Sequence, residues 1–374
     1  MKVSKVFYAF LTACLFSLVT YPLLNAQALN IPSRTWGLSI GNSQDFTGFR
    51  LNFRDKDIGT LKGVNVTFWK PAKNYTGDFT GVGLGLVGPA AENLKGIMIG
   101  GIAVQAKSTL TGLSVGLIAV GAERSVKGIN IGGIAAGAGE ELRGLNFGGL
   151  AVGAGEELFG INIGGLACGA GEDLRGLNIG GFACGAGQSM KGISAAIFAC
   201  GAGEDLQGFT LSAFACGAGE NVKGITIGGF AVGAGQDMEG ISASMFAAGA
   251  GGSVRGFTVA GFAVGAGEQL KGISIAGIAA GAPDVKGFTS APFIGCENYQ
   301  GIALAPLYLK VKGGEFKGVS VSSFNRVLGD QKGLNIGIIN FASDLKGFQL
   351  GVLNIAASNP GWSRILPIFN KNFR

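Results

Sequence analysis

The chain has 374 residues, of which 70 are glycine, 47% are apolar and only 14% are charged, with a formal net charge of +6. This balance excludes a disordered chain, which lacks apolar residues, and a collagen, which needs glycine at every third place. Long helices are excluded too, because glycine costs about 1 kcal/mol per helical position relative to alanine, so the chain is expected to be all-β.

In chain order, the first element is a targeting segment. Lys2 and Lys5 precede an uncharged apolar run from Val6 to Leu24, and Leu24-Asn25-Ala26 supplies a small-residue cleavage site, the layout of a secretory signal peptide over residues 1–26. An uncleaved anchor is the alternative, since the run reaches the lower length limit for a spanning helix. A lipoprotein box at Leu11-Thr12-Ala13-Cys14 is a third reading, opposed by the apolar residues that follow Cys14. Cleavage removes two lysines and no acid, lowering the net charge from +6 to +4. The remaining cations are spread about one per repeat rather than clustered, which argues against a nucleic-acid partner.

Residues 27–95 are expected to form an irregular β cap. Trp36, Phe53, Phe68 and Trp69 lie on strand-like segments separated by polar turns such as Arg54-Asp-Lys-Asp57, and a stacked array needs its open edge covered.

Residues 96–286 form a regular array with a sixteen-residue period, one copy of which is Gly176-Leu-Asn-Ile-Gly-Gly-Phe-Ala-Cys-Gly-Ala-Gly-Gln-Ser-Met-Lys191. So short a period marks a tandem of supersecondary units. Counting from the first glycine, positions 2 and 4 are apolar and position 3 between them is Asn, Ser or Thr, which predicts a short half-buried strand with position 3 toward water. A small pair at positions 5 and 6 predicts a bulge or corner. Positions 7, 9 and 11 then become the inward apolar set. Charges and amides occupy positions 13, 14 and 16, a wet corner with the Leu, Met or Val of position 15 plugged inward.

Residues 287–374 are expected to hold degenerate repeats and a C-terminal cap. The glycine frame loosens through Gly287, Gly301, Gly318, Gly333 and Gly347, and the chain closes on Asn359-Pro-Gly-Trp362 and Ile365–Phe373.

Two architectures accommodate such a unit. In a β-solenoid each repeat is one coil and like residues stack about 4.8 Å apart. In an outer-membrane antiparallel β-barrel each repeat is one spanning strand of the required ~9–11 residues. Successive barrel strands reverse direction, so odd and even copies should differ, and they do not. Position 7 is Phe182, Phe198, Phe214, Phe230, Phe246 and Phe262 in succession, and position 9 is Cys168, Cys184, Cys200 and Cys216. These blocks favour the solenoid, with both series as structural ladders in its core. On that reading Phe214→Ala opens a large cavity and costs about 3–5 kcal/mol.

Chemistry is mostly excluded. The chain has no histidine, so the nucleophile-elbow patterns around Ser39 and Ser114 lack the imidazole of a catalytic relay, and zinc and haem sites are disfavoured. The cysteines at position 9 alternate with Val and Ala, as small buried fillers do; bridges between adjacent coils or a thiolate metal site are the functional alternatives. The Glu172-Asp173 and Glu204-Asp205 corners lack the nonapeptide spacing of calcium-binding β-rolls. No catalytic residue, cofactor, metal site or small-molecule substrate is expected, and the protein is not expected to be an enzyme.

The tandem Gly-Ile/Leu-Asn-Ile-Gly units, the late copies Gly333-Leu-Asn-Ile-Gly-Ile-Ile-Asn340 and Gly347-Phe-Gln-Leu-Gly-Val-Leu-Asn354, and the Leu366-Pro-Ile-Phe-Asn370 tail resemble the glycine-rich surface-repeat proteins of bacterial envelopes. The resemblance implies an exported protein at the cell surface or outer membrane, with a structural or adhesive role, the envelope as its partner and no assigned chemistry. If the barrel were the fold, the corresponding role would be a pore or scaffold.

Overall fold

The computed structural model describes residues 28–71 and 76–373; the expected signal peptide lies outside the described residues. The fold is nearly all β, a β-solenoid of about 19 turns of roughly sixteen residues and not a barrel. Two compact units are present, one ending at Leu166 and the other running Ala167–Arg374.

In the N-terminal unit, Ala28–Pro32 pairs antiparallel with Trp36–Gly41. From there every pairing is parallel: Trp36–Gly41 with Phe46–Arg54, then Thr60–Trp69, then Asp78–Gly85. Coiling thus begins before the regular period does, with glycine facing glycine at Gly37, Gly48, Gly63 and Gly81. Further on, each coil has a long strand such as Glu141–Gly148 and a short one such as Ala135–Ala138. Long strands pair with long and short with short.

The C-terminal unit repeats this plan. Met190–Ala196 pairs in parallel with Asp205–Ser212, setting Gly192 against Gly208 and Ser194 against Thr210, while Ala183–Ala186 pairs with Ala199–Ala202. Gly347–Ala356 finally receives Ile365–Asn372 in antiparallel orientation. Parallel neighbours sixteen residues apart rule out the barrel, whose adjacent strands must alternate in direction.

The structure reverses part of the inward and outward assignment made from the repeat. Position 3 is buried throughout the regular coils, with Asn130, Asn162, Asn178 and Thr226 at 0% exposure, whereas positions 2 and 4 face out. The long strand begins at position 14 rather than at position 2, so positions 15, 1, 3 and 5 share one side of the pleat and positions 16, 2 and 4 the other. Leu174, Leu206 and Val222 at position 15 point inward as expected, each fully buried. Burying that plug forces position 3 inward with it.

The asparagine stretch of this row can be buried because its amides bond to one another along the stack. Asn130 Nδ2 donates to Asn146 Oδ1 at 2.9 Å, and Asn146 Nδ2 donates to Asn162 Oδ1 at 2.8 Å. In the C-terminal unit Ser320 Oγ at position 3 donates to Asn335 Oδ1 at 2.8 Å, and a separate column, outside position 3, runs from Asn325 to Asn340 to Asn354 at 2.8 and 2.7 Å. The strand spacing of ~4.8 Å lets each asparagine amide bridge to the next, whereas the smaller hydroxyls of Ser114 and Thr226 in the same row are buried without a hydrogen bond.

Candidate functional site

The predicted phenylalanine ladder is present, but on the outside. Rings from Phe182 to Phe262 stack with centroid separations of 4.8, 4.9, 5.2, 4.7 and 4.4 Å. Each ring is 40–55% exposed, which corrects the expectation of a core row. The cause is the corner at positions 6 and 7, where the chain turns from the long strand to the short one. Backbone bonds such as Phe198 N to Phe182 O at 2.8 Å and Phe230 N to Phe214 O at 2.7 Å hold the corners in step. Phe214→Ala therefore removes two stacking contacts and half-buried area rather than opening a cavity. We expect a loss of about 1–2 kcal/mol in chemical denaturation, instead of 3–5; a loss above about 3 kcal/mol would show that the ring packs inward.

The long strand before this corner carries two more apolar rows. Ile193, Leu211, Ile225 and Ile241, from positions 2 and 4, are 39–50% exposed. Position 16 projects on the same side and is rich in cations: Lys191, Lys223, Arg255 and Lys271, with Gln207 and Glu239 interspersed. Among the described residues none of these four cations has a salt bridge. Other cations of this row are paired: Arg175 with Asp173 in the same unit, and in the N-terminal unit Arg143 with Glu141 and Glu157 at 3.2 and 3.1 Å and Lys127 with Glu141 at 3.4 Å. The sequence did contain the signal for this face. Positions 16, 2 and 4 are spaced by two, but placing position 16 in a turn separated it from the strand.

The cysteine ladder lies inside, as expected. Cys168, Cys184, Cys200 and Cys216 are buried thiols, each facing the next in register. Their S–H groups find carbonyls: Cys184 Sγ lies 3.2 Å from Ala195 O, Cys200 Sγ 3.5 Å from Leu211 O and Cys216 Sγ 3.3 Å from Ile227 O. Hydrogen bonds to neighbouring thiols, and then burial, push Cys168 and Cys200 up. Cys184 and Cys216, on the receiving side, are lowered by the same bonds. Cys296, away from the ladder, is pushed up to about 12 by burial. The acidic corners are engaged by other side chains, Asp173 by Arg175 and Asp205 by Asn221 Nδ2 at 3.0 Å.

A further feature was not legible in the sequence. Near the C-terminal end a groove of about 990 Å³ is lined by Leu304, Val321, Ile336 and Leu350, all at position 4 of their coils, and closed by Pro367 and Ile368 of the last strand. It opens because that strand slips register between Gly351 and Asn354. Ile368 sits there at φ +67°, a strained conformation for a β-branched residue. The groove thus continues the outward apolar row that begins in the regular coils.

Compared with protein-family models, curated proteins and solved structures, the chain matches none.

Proposed function

We propose that the protein is an exported, non-enzymatic surface-repeat protein with a structural or adhesive role at the bacterial cell envelope. The observation that carries this reading is the outward apolar face: stacked phenylalanines at the corner and aliphatic rows beside them, repeated coil after coil. Contiguous apolar surface of more than a few hundred Å² marks an interaction site on a folded protein, and a rigid array presents such a surface without moving parts. The apolar segment Val6–Leu24 behind two lysines, and the resemblance of the repeats to glycine-rich envelope proteins, support export.

Fractionation of a two-membrane bacterium expressing the full chain tests the reading. The protein is expected with the envelope, its N-terminus beginning near Gln27 and its exposed turns open to protease added to intact cells. Recovery in the cytosol with an intact N-terminus would overturn it.

A further inference from the structure

Building on the envelope reading, we propose that the outward face of the C-terminal unit lies on a phosphate-bearing, anionic lipid bilayer. The phenylalanine corner and the rows at positions 2 and 4 occupy the boundary between headgroups and acyl chains. The cations of position 16 meet the headgroup phosphates.

The order of chemistry across the coil is the basis. Acids and amides lie at positions 13 and 14, cations at position 16, and apolar side chains at positions 2, 4 and 7. Two residues separate the cations from the first apolar row, ~7 Å along an extended strand, and the face from position 16 to position 4 is ~13 Å wide. Over the seven coils from Gly176 to Gly272 it extends roughly 30 Å at ~4.8 Å per coil. An amphiphile whose tails cover rows 2 and 4 would place its headgroup phosphate beside row 16. This is the arrangement by which interfacial elements hold anionic membranes, apolar side chains buried shallowly and Lys or Arg alongside them.

The charge pattern selects a lipid over a second copy of the chain. Among the described residues Lys191, Lys223, Arg255 and Lys271 make no salt bridge, and the single acid in their row, Glu239, makes none either. The row therefore keeps a net positive charge: the position 14 carboxylates on the same side lie one row further from the apolar band, where Asp205 accepts from Asn221 Nδ2 and Asp237 from Ser253 N instead of pairing with these cations. A second copy brings the same row and no acid at position 2, 4 or 7, so a face-to-face dimer leaves the cations unmatched. An anionic bilayer supplies both the apolar phase and the counter-charge. The half-exposed phenylalanines at the corner supply apolar surface of the kind that interfacial elements bury shallowly.

Vesicle flotation of the full chain is the test, with phosphatidylglycerol-containing vesicles compared with pure phosphatidylcholine at low and high salt. Any contribution of Val6–Leu24 is common to every variant, so differences between variants report on the face. We expect stronger partition onto the anionic vesicles, weakened by salt. The variant K191Q/K223Q/R255Q/K271Q should lose about fivefold per cation, several hundredfold together, on anionic vesicles only. A second variant, F214S/F230S/F246S, should weaken partition onto both kinds of vesicle while its circular dichroism shows the fold retained. Equal binding to both lipids, or lysine and arginine variants that bind as the parent does, would overturn the proposal. So would a folded parent that ignores vesicles and forms dimers abolished by the phenylalanine changes. Each of these results leaves the envelope reading intact if fractionation still finds the protein there, so the two fail separately.

Discussion

Gly208→Ala is expected to cost at least about 4 kcal/mol, whereas Gly201→Ala, in the same coil array, is expected to change stability by no more than about 1 kcal/mol. Gly208 opens its repeat at φ +117°, and a Cβ there would stand 2.2 Å from the carbonyl oxygen of Gly192 on the neighbouring strand. That oxygen belongs to backbone fixed by the ladder, so the added methyl group and the strained φ together force the strands apart. Gly201 has an ordinary φ, and its Cβ would meet Gly217 O at 3.5 Å, a van der Waals distance. Denaturant midpoints of the two variants check this. Equal losses would show that the positive-φ row is no special constraint and that glycine serves only to narrow the coil.

Arg50→Ala is the second substitution with a large expected effect, about 3–5 kcal/mol in the N-terminal unit. Arg50 is 1% exposed and pairs with Asp55, itself 2% exposed. Its guanidinium also donates to Asn65 Oδ1 and Asn42 Oδ1, both at 2.9 Å, while Asn52 Nδ2 donates to Asp55 Oδ1 at 3.0 Å. Truncating the arginine strands a carboxylate away from water with amide donors alone. Arg50→Met with Asp55→Leu removes both charges and should recover most of the loss, since a buried pair replaced by apolar side chains is often neutral. If the double variant is as unstable as Arg50→Ala, the cluster matters for its shape and not for its charge balance.

Arg50 and Asp55 also show where sequence reading ends. Asp55 stands in Arg54-Asp-Lys-Asp57, which reads as a solvated turn, and nothing local reveals that its carboxylate turns back to an arginine five residues earlier. The repeat, by contrast, was legible because stacking places each position beside its own copy. Position 9 and position 15 were therefore read inward correctly. Position 3 was misread because amphipathic patterning assigns the polar side of a strand to water, and the ladder that makes Asn146 an acceptable interior residue runs between coils, not along the chain. The phenylalanines were recognised as a stack for the same reason that the cysteines were, yet period alone does not tell an inner column from an outer one. The equivalence of Gly201 and Gly208 in composition hides opposite steric demands, which depend on the neighbouring strand's carbonyl. The C-terminal groove depends on a register slip that no periodic pattern encodes.

The step between coils has a consequence for inheritance. Within the regular array each rung answers only to the rung on either side, and those rungs carry interchangeable chemistry. Losing residues 193–208 would bring Gly192 directly before Phe209, which already occupies position 2, so the frame survives the loss. Copy number is thus separable from fold, and unequal exchange between tandem coding units can lengthen or shorten the face by whole coils without creating a mismatched junction. Reach becomes a heritable variable, set by counting and not by redesign.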